Sequence, residues 1–226
     1  ITITGGWSRF QVDGFTSDGD SNFNGFQVEV NAGQGYNVTG GGNRLDLIAT
    51  NMDVGGLDVA FNGTTTNGGG TMLFENVRSY APPFNVDVRE GSARFVNCDF
   101  TVGKVSGSAN RINKPFDTRF TNCIFRMDPL ADTDTRLINL FFNTSGSTHT
   151  GQRLVFSGCK FVDTAAVTGS KYAIYHNTDD TLTRDNQLII ENCEIVGAFT
   201  QGVHAERGHV QVRNTILKDC VTGIWV

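Results

Sequence analysis

A short phrase returns along this chain at one internal register, and that recurrence limits the fold more than any other feature. It reads Phe95-Val96-Asn97-Cys98-Asp99-Phe100, then Phe120-Thr121-Asn122-Cys123-Ile124-Phe125, then more loosely Phe156-Ser157-Gly158-Cys159-Lys160-Phe161. Fainter copies flank these: Ala49-Thr50-Asn51-Met52 and Phe74-Glu75-Asn76-Val77 upstream, Ile190-Glu191-Asn192-Cys193-Glu194-Ile195 and Val212-Arg213-Asn214-Thr215-Ile216-Leu217 downstream. Counted from Asn to Asn, with Gly158 in that slot, the seven copies stand 21 to 36 residues apart. A unit that short cannot bury an apolar face alone, so each copy stacks on its neighbours and the chain forms a solenoid. The short steps measure a bare coil, and the long ones carry inserted loops.

Ahead of each copy runs a second alternating segment, such as Phe26-Gln27-Val28-Glu29-Val30, Leu57-Asp58-Val59-Ala60-Phe61 and Phe84-Asn85-Val86-Asp87-Val88. Each coil therefore holds at least two strands. Alternation turns Phe95, Cys98 and Phe100 to the same, inner face. The Asn interrupts the alternation, which predicts a turn. Asn tolerates a left-handed backbone, its amide can bond the amide of the next coil in a ladder, and Gly158 suits the same slot. With 17 Phe, 27 Gly and no long run of helix-forming residues, the class is all-β.

At these residues the chain resembles the right-handed parallel β-helices of the pectate-lyase-like superfamily, which includes phage tailspikes and other polysaccharide-active surface proteins. The resemblance rests on coil length, the Asn slot and the inward columns, and it covers roughly residues 26 to 226. It implies a right-handed solenoid of about eight coils with stacked Asn and Cys/Phe columns. It also implies a place outside the cell or on a virion surface, a homotrimer or larger assembly, and a polysaccharide or cell-surface glycan as partner. Residues 26–226 read as a single β-helix domain, and residues 1–25 as an N-terminal cap or an irregular first coil. The apolar rung Gly223-Ile224-Trp225-Val226 predicts that the solenoid continues or is capped beyond it.

A net charge of -5 and a pI near 5.3, without clustered Lys or Arg, argue against nucleic acid. No apolar run approaches the roughly 20 residues of a membrane helix, so no membrane insertion is expected. Four of the five cysteines, Cys98, Cys123, Cys159 and Cys193, hold one place in the repeat. In-register parallel side chains point alike rather than toward one another, which predicts a column of reduced, buried thiols with Cys220 outside it. There is no Cys-x-x-Cys or His-x-x-x-His pair for zinc. Asp18-Gly19-Asp20-Ser21-Asn22 with Glu29 traces a calcium loop, yet Phe23 stands where its sharp turn needs Gly. No metal and no cofactor is expected.

Outward residues of a solenoid stack as well. Aligning the first strands on their inward Val or Ile gives one outward column: Glu29, Ala60, Asp87, Asn113, Asn139, Tyr175, His204, Trp225. Beside it run Gln27, Asp58 and Asn85 on one side, and Asn31, Asn62, Arg89, Phe141, Asn177 and Glu206 on the other. Carboxylates, amides and aromatic rings on one sheet are what a sugar groove uses, so Glu29, Asn113, Asn139, Tyr175, His204, Glu206 and Trp225 are the candidate substrate-binding residues. A plain solvated sheet wants the same polar pattern. Asp58 and Asp87, one coil and two residues apart, should hold their Cβ atoms about 8 Å apart. Inverting glycosidases space their acid and base by roughly 6.5 to 9.5 Å, which makes these two the candidate catalytic pair of a glycoside hydrolase. Glu29 and Asp58 satisfy the same arithmetic. His204 with Glu206 is a second acid/base cluster. The competing reading is a structural or adhesive module without catalysis, with Phe141, Leu137 and Trp225 packing on sister chains.

Overall fold

The computed structural model describes residues 2–3, 8–14, 26–32, 45–63, 71–80, 84–88, 92–102, 110–113, 115, 117–129, 136–142, 151–163, 169–176, 186–206 and 208–226. Strands make up most of them, and none is helical. The described strands form three parallel sheets of nine, eight and seven members. From Phe26–Ala32 onward the chain visits the three in rotation: Phe26–Ala32 in the first sheet, Leu45–Thr50 in the second, Asp53–Val54 in the third, then Leu57–Gly63 in the first again. The last cycle runs through Gln201–Ala205, His209–Arg213 and Ile216–Lys218, and Thr222–Trp225 returns to the first sheet. This regular stack is compatible with a parallel β-helix. The sequence called for at least two strands per coil; the third is the short segment just after each Cys slot, such as Asp99–Val102 or Lys160–Asp163.

The repeated phrase is the corner between the second and third sheets. Asn51, Asn76, Asn97, Asn122, Asn192 and Asn214 all take positive φ, from 49° to 56°, and Gly158 takes 66°. The left-handed residue swings the chain by one corner while its N–H still reaches forward: Asn97 N donates to Thr121 O at 3.0 Å and Asn122 N to Ser157 O at 2.9 Å. Asn76 Nδ2 donates to Asn51 Oδ1 at 3.1 Å, one step of the amide ladder. Gly14, with φ 67°, holds the same slot one cycle earlier, and Asp13 beside it accepts from Thr50 Oγ1 and Asn51 Nδ2. Those bonds hold the Asp13 carboxyl below its usual range. Thr2–Ile3 and Ser8–Asp13 thus extend the first and second sheets into the region read as a cap or irregular coil.

Strict register brings like side chains into columns. Phe74, Phe95, Phe120 and Phe156 pair in order, and their rings stack at centroid separations of 4.9, 4.4 and 5.2 Å. Phe100, Phe125 and Phe161 form a second column, with Phe125 and Phe161 stacked at 5.1 Å. Edge-on contacts such as Phe156 on Phe161 at 5.2 Å lock the two together. All seven rings are fully buried, and each is worth about 1.5–3 kcal/mol in transfer from water. Between them Cys98, Cys123, Cys159 and Cys193 are buried and reduced. Each thiol donates to the carbonyl of the Phe one cycle back, as Cys123 does to Phe95 O at 3.4 Å. The bond with Cys159 and burial push the Cys193 thiol up.

Two expectations fail on packing. Leu137, expected at the surface, is fully buried: it precedes inward Ile138 and Leu140 at the point where the chain enters the first sheet, and all three reach the core. The aligned outward column also slips by two residues in its middle. Ile112 pairs with Leu140 rather than Ile138, so Asn113 stands opposite Phe141, and one step back along both strands Arg111 faces Asn139. Both Ile138 and Leu140 are buried, so the apolar pattern fits either register.

Candidate functional site

With the register set, the first sheet carries one column of Gln27, Asp58, Asn85 and Arg111, which runs on through Asn139, Tyr175 and His204 to Trp225. Glu29, Ala60, Asp87, Asn113 and Phe141 form the parallel column two residues along. Asp58 pairs with Asn85 and Ala60 with Asp87, so Asp58 and Asp87 stand one rung and two residues apart. Glu29, Asp58, Asp87 and Asn113 are placed by their strands alone, their side chains lying outside the described set. Arg89, Asn177 and the calcium-like stretch Asp18 to Asn22 also lie outside the described residues.

The candidate residues that do meet are those of the last cycles. The Tyr175 and His204 rings stack at 4.6 Å with planes 13° apart, and His204 stacks on Trp225 at 4.2 Å and 11°. Arg136 closes the other end, its Cζ 3.7 Å from the Tyr175 ring centroid, and its Nη1 donates to Asn139 Oδ1 at 3.1 Å. Tyr172 meets Tyr175 and His204 edge-on, at 5.0 and 5.5 Å. The cause is the parallel register: side chains one rung apart sit close enough for planar rings to stack, and a guanidinium completes the pile through its charge and flat face.

One carboxylate organises the hydrogen bonds. Glu206 Oε1 accepts from the Tyr175 hydroxyl at 3.1 Å and lies 3.3 Å from His204 Nε2, while Gln201 Oε1 faces His204 Nδ1. Burial, and then the bond to Glu206, raise the Tyr175 phenol above its ordinary value of 10.0. A carboxylate fixed by a phenol and an imidazole, with its side chain 37% exposed, is a group that can take or give a proton at the surface. The rings offer less than their number implies. Both faces of Tyr175 and of His204 are occupied by neighbours, and each residue is only 8% exposed. Trp225, stacked on His204, is 45% exposed.

Arg111, Arg136, Tyr172 and Gln201 belong to this face and were absent from the sequence reading. Arg111 Nε donates to Asn85 Oδ1 at 3.1 Å; the two-residue slip had put Asn113 in its place. Arg136, Tyr172 and Gln201 open their strands just outside the aligned core positions, where an inward Val or Ile gives no anchor. Among the described residues, no group of three His, Cys, Asp or Glu is placed to hold a metal ion. No family model, curated protein or solved structure matches the chain.

Proposed function

We propose that the protein is a right-handed parallel β-helix of about eight coils, of the pectate-lyase-like, tailspike type, that recognises polysaccharide along the outer face of its first sheet. Its place is extracellular or on a virion surface, as a homotrimer or larger assembly. The observation that carries this reading is the convergence of Arg136, Tyr172, Tyr175, Gln201, His204, Glu206 and Trp225 into one outward cluster of amides, charges and ring edges. Such a set bonds hydroxyls with its polar groups and offers ring edges to the apolar face of a sugar. Asp58 and Asp87, farther along the same sheet, are where we place glycosidic bond cleavage, with one as acid and the other as base.

Binding to a broad glycan array tests recognition: Glu206→Gln and Trp225→Ala should each weaken the strongest wild-type signal. Release of reducing sugar from that glycan tests cleavage, and Asp58→Asn and Asp87→Asn should each abolish it. A second reading, a structural or adhesive module without catalysis, is favoured by the occlusion of the Tyr175 and His204 rings, whose faces are covered by Arg136, by each other and by Trp225. If no glycan binds and Trp225→Ala instead changes the sedimentation of the assembly, that reading replaces the first.

A further inference from the structure

His176 is the inward neighbour of the outward cluster. It pairs with Leu140 on one side and Ala205 on the other, is fully buried, and sets its ring edge-on to Phe142 at 4.7 Å. Neither ring nitrogen has a hydrogen-bond partner among the described residues. An imidazole placed this way is held as a neutral apolar plate, because burial without a hydrogen-bond partner disfavours the charged ring. The residue before it is Tyr175, so one strand carries the buried ring inward and a stacked ring outward. Its carbonyl accepts the N–H of Glu206 at 3.2 Å, the residue whose carboxylate ties Tyr175 to His204.

We propose that His176 makes this rung an acid-sensitive latch, in which protonation expels its ring from the core and unseats the Tyr175, His204 and Trp225 stack. Of the described groups that act on it, Glu206 favours the charged ring and His204 opposes it, while Leu140, Phe142 and Ala205 bring no charge. Burial outweighs both and pushes the imidazole down from its ordinary 6.5 to about 4. The open state takes up a proton that the closed state refuses. The closed state is therefore fully favoured above pH 6.5 and loses ground as pH falls from there toward 4. The opening is local: the stacked Phe rings of the earlier cycles carry no ionisable group, so strand content persists while the outer stack disperses. This inference does not depend on a glycan ligand, because the stack itself reports it.

The test is an acid titration of the intact protein from pH 7.5 to 3.5, with Trp7→Phe in every sample so that Trp225 is the sole tryptophan. Near-ultraviolet circular dichroism and Trp225 emission should change together between pH 6.5 and 4, with the far-ultraviolet strand signal retained. His176→Phe, which keeps a flat apolar ring against Phe142, should remove that transition, and His209→Gln, an exposed position in the second sheet, should keep it. A transition left unchanged in His176→Phe overturns the proposal. If that variant does not fold, the imidazole proton signals of His176 in the otherwise native protein decide: titration near 6.5 with an unaltered Trp225 environment overturns it, and titration well below 6.5 in step with Trp225 supports it.

Discussion

A Cβ built on Gly158 would lie 2.5 Å from Oδ1 of Asn122, the turn amide one cycle earlier. The contact is with the tip of a side chain, and Gly158 has the same left-handed backbone, φ 66°, that Asn holds in six other cycles. Gly158→Ala should therefore lose about 1–2 kcal/mol, since Ala brings a Cβ into that backbone without an amide to join the ladder. Gly158→Asn should come out near neutral, because its amide can join the ladder, Asn122 can turn aside and the unfolded chain loses freedom. Urea unfolding of the two variants ranks them. Asn no better than Ala would mean that the ladder does not select Asn at this corner.

The corner was legible because its residues are chosen by backbone conformation: few residues accept φ near +50°, so Asn51 through Asn214 mark the register openly. The Phe and Cys columns were legible because each position is buried and alternation has only two faces. The outer face was less so. Solvent accepts many residues, and two equally apolar choices, Ile138 and Leu140, let the alignment slip and hid Arg111 behind Asn113. The Tyr175, His204 and Trp225 alignment survived because nothing ambiguous separates them. Their mutual occlusion could not be read from sequence, since it follows from ring planes and from Arg136 folding back over Tyr175.

Lys171 Nζ lies 3.0 Å from Asp163 Oδ2 with side-chain exposures of 6% and 1%, a buried ion pair at the corner between the third and first sheets. Gly197, paired with Asp163, has φ 135°, and a Cβ there would strike the Asp163 backbone. Lys171→Met takes the ammonium away from a buried carboxylate and should cost about 3–5 kcal/mol. Adding Asp163→Leu should recover much of that loss, so the double variant is more stable than the sum of the singles predicts. Denaturant unfolding of the four-member cycle measures the coupling. A Lys171→Met loss under about 1 kcal/mol would place the pair with exposed ones.

The stacked thiols should be chemically silent. Cys98, Cys123, Cys159 and Cys193 are buried and bonded to carbonyls, whereas Cys220 is half-buried, with burial and then Asp219 raising its thiol. An aromatic disulfide reagent at pH 8 should titrate Cys220 alone in the native protein, slowly, and the other four only after denaturation. Native reaction of the column at the rate of Cys220 would show that the core opens on that timescale.

Tyr175 carries the clearest alkaline signature on the outer face. Burial first, then its bond to Glu206, raise the phenol above 10.0. A raised phenol contributes stability that is whole below its unfolded value near 10 and is lost as pH climbs from there through the folded value. Tyr175→Phe keeps a ring between Arg136 and His204 and deletes the hydroxyl, so at pH 7 it should cost about 1 kcal/mol, for a bond to a carboxylate that is partly solvated. Wild type should lose that advantage as the pH rises past 10, while Tyr175→Phe changes less. Absorbance at 295 nm provides the matching check: the wild-type titration minus that of Tyr175→Phe should isolate one phenolate appearing above the ordinary value of 10.0. A difference curve centred at or below 10 would mean that Glu206 does not hold the hydroxyl, and that the outward cluster lacks its central carboxylate bond.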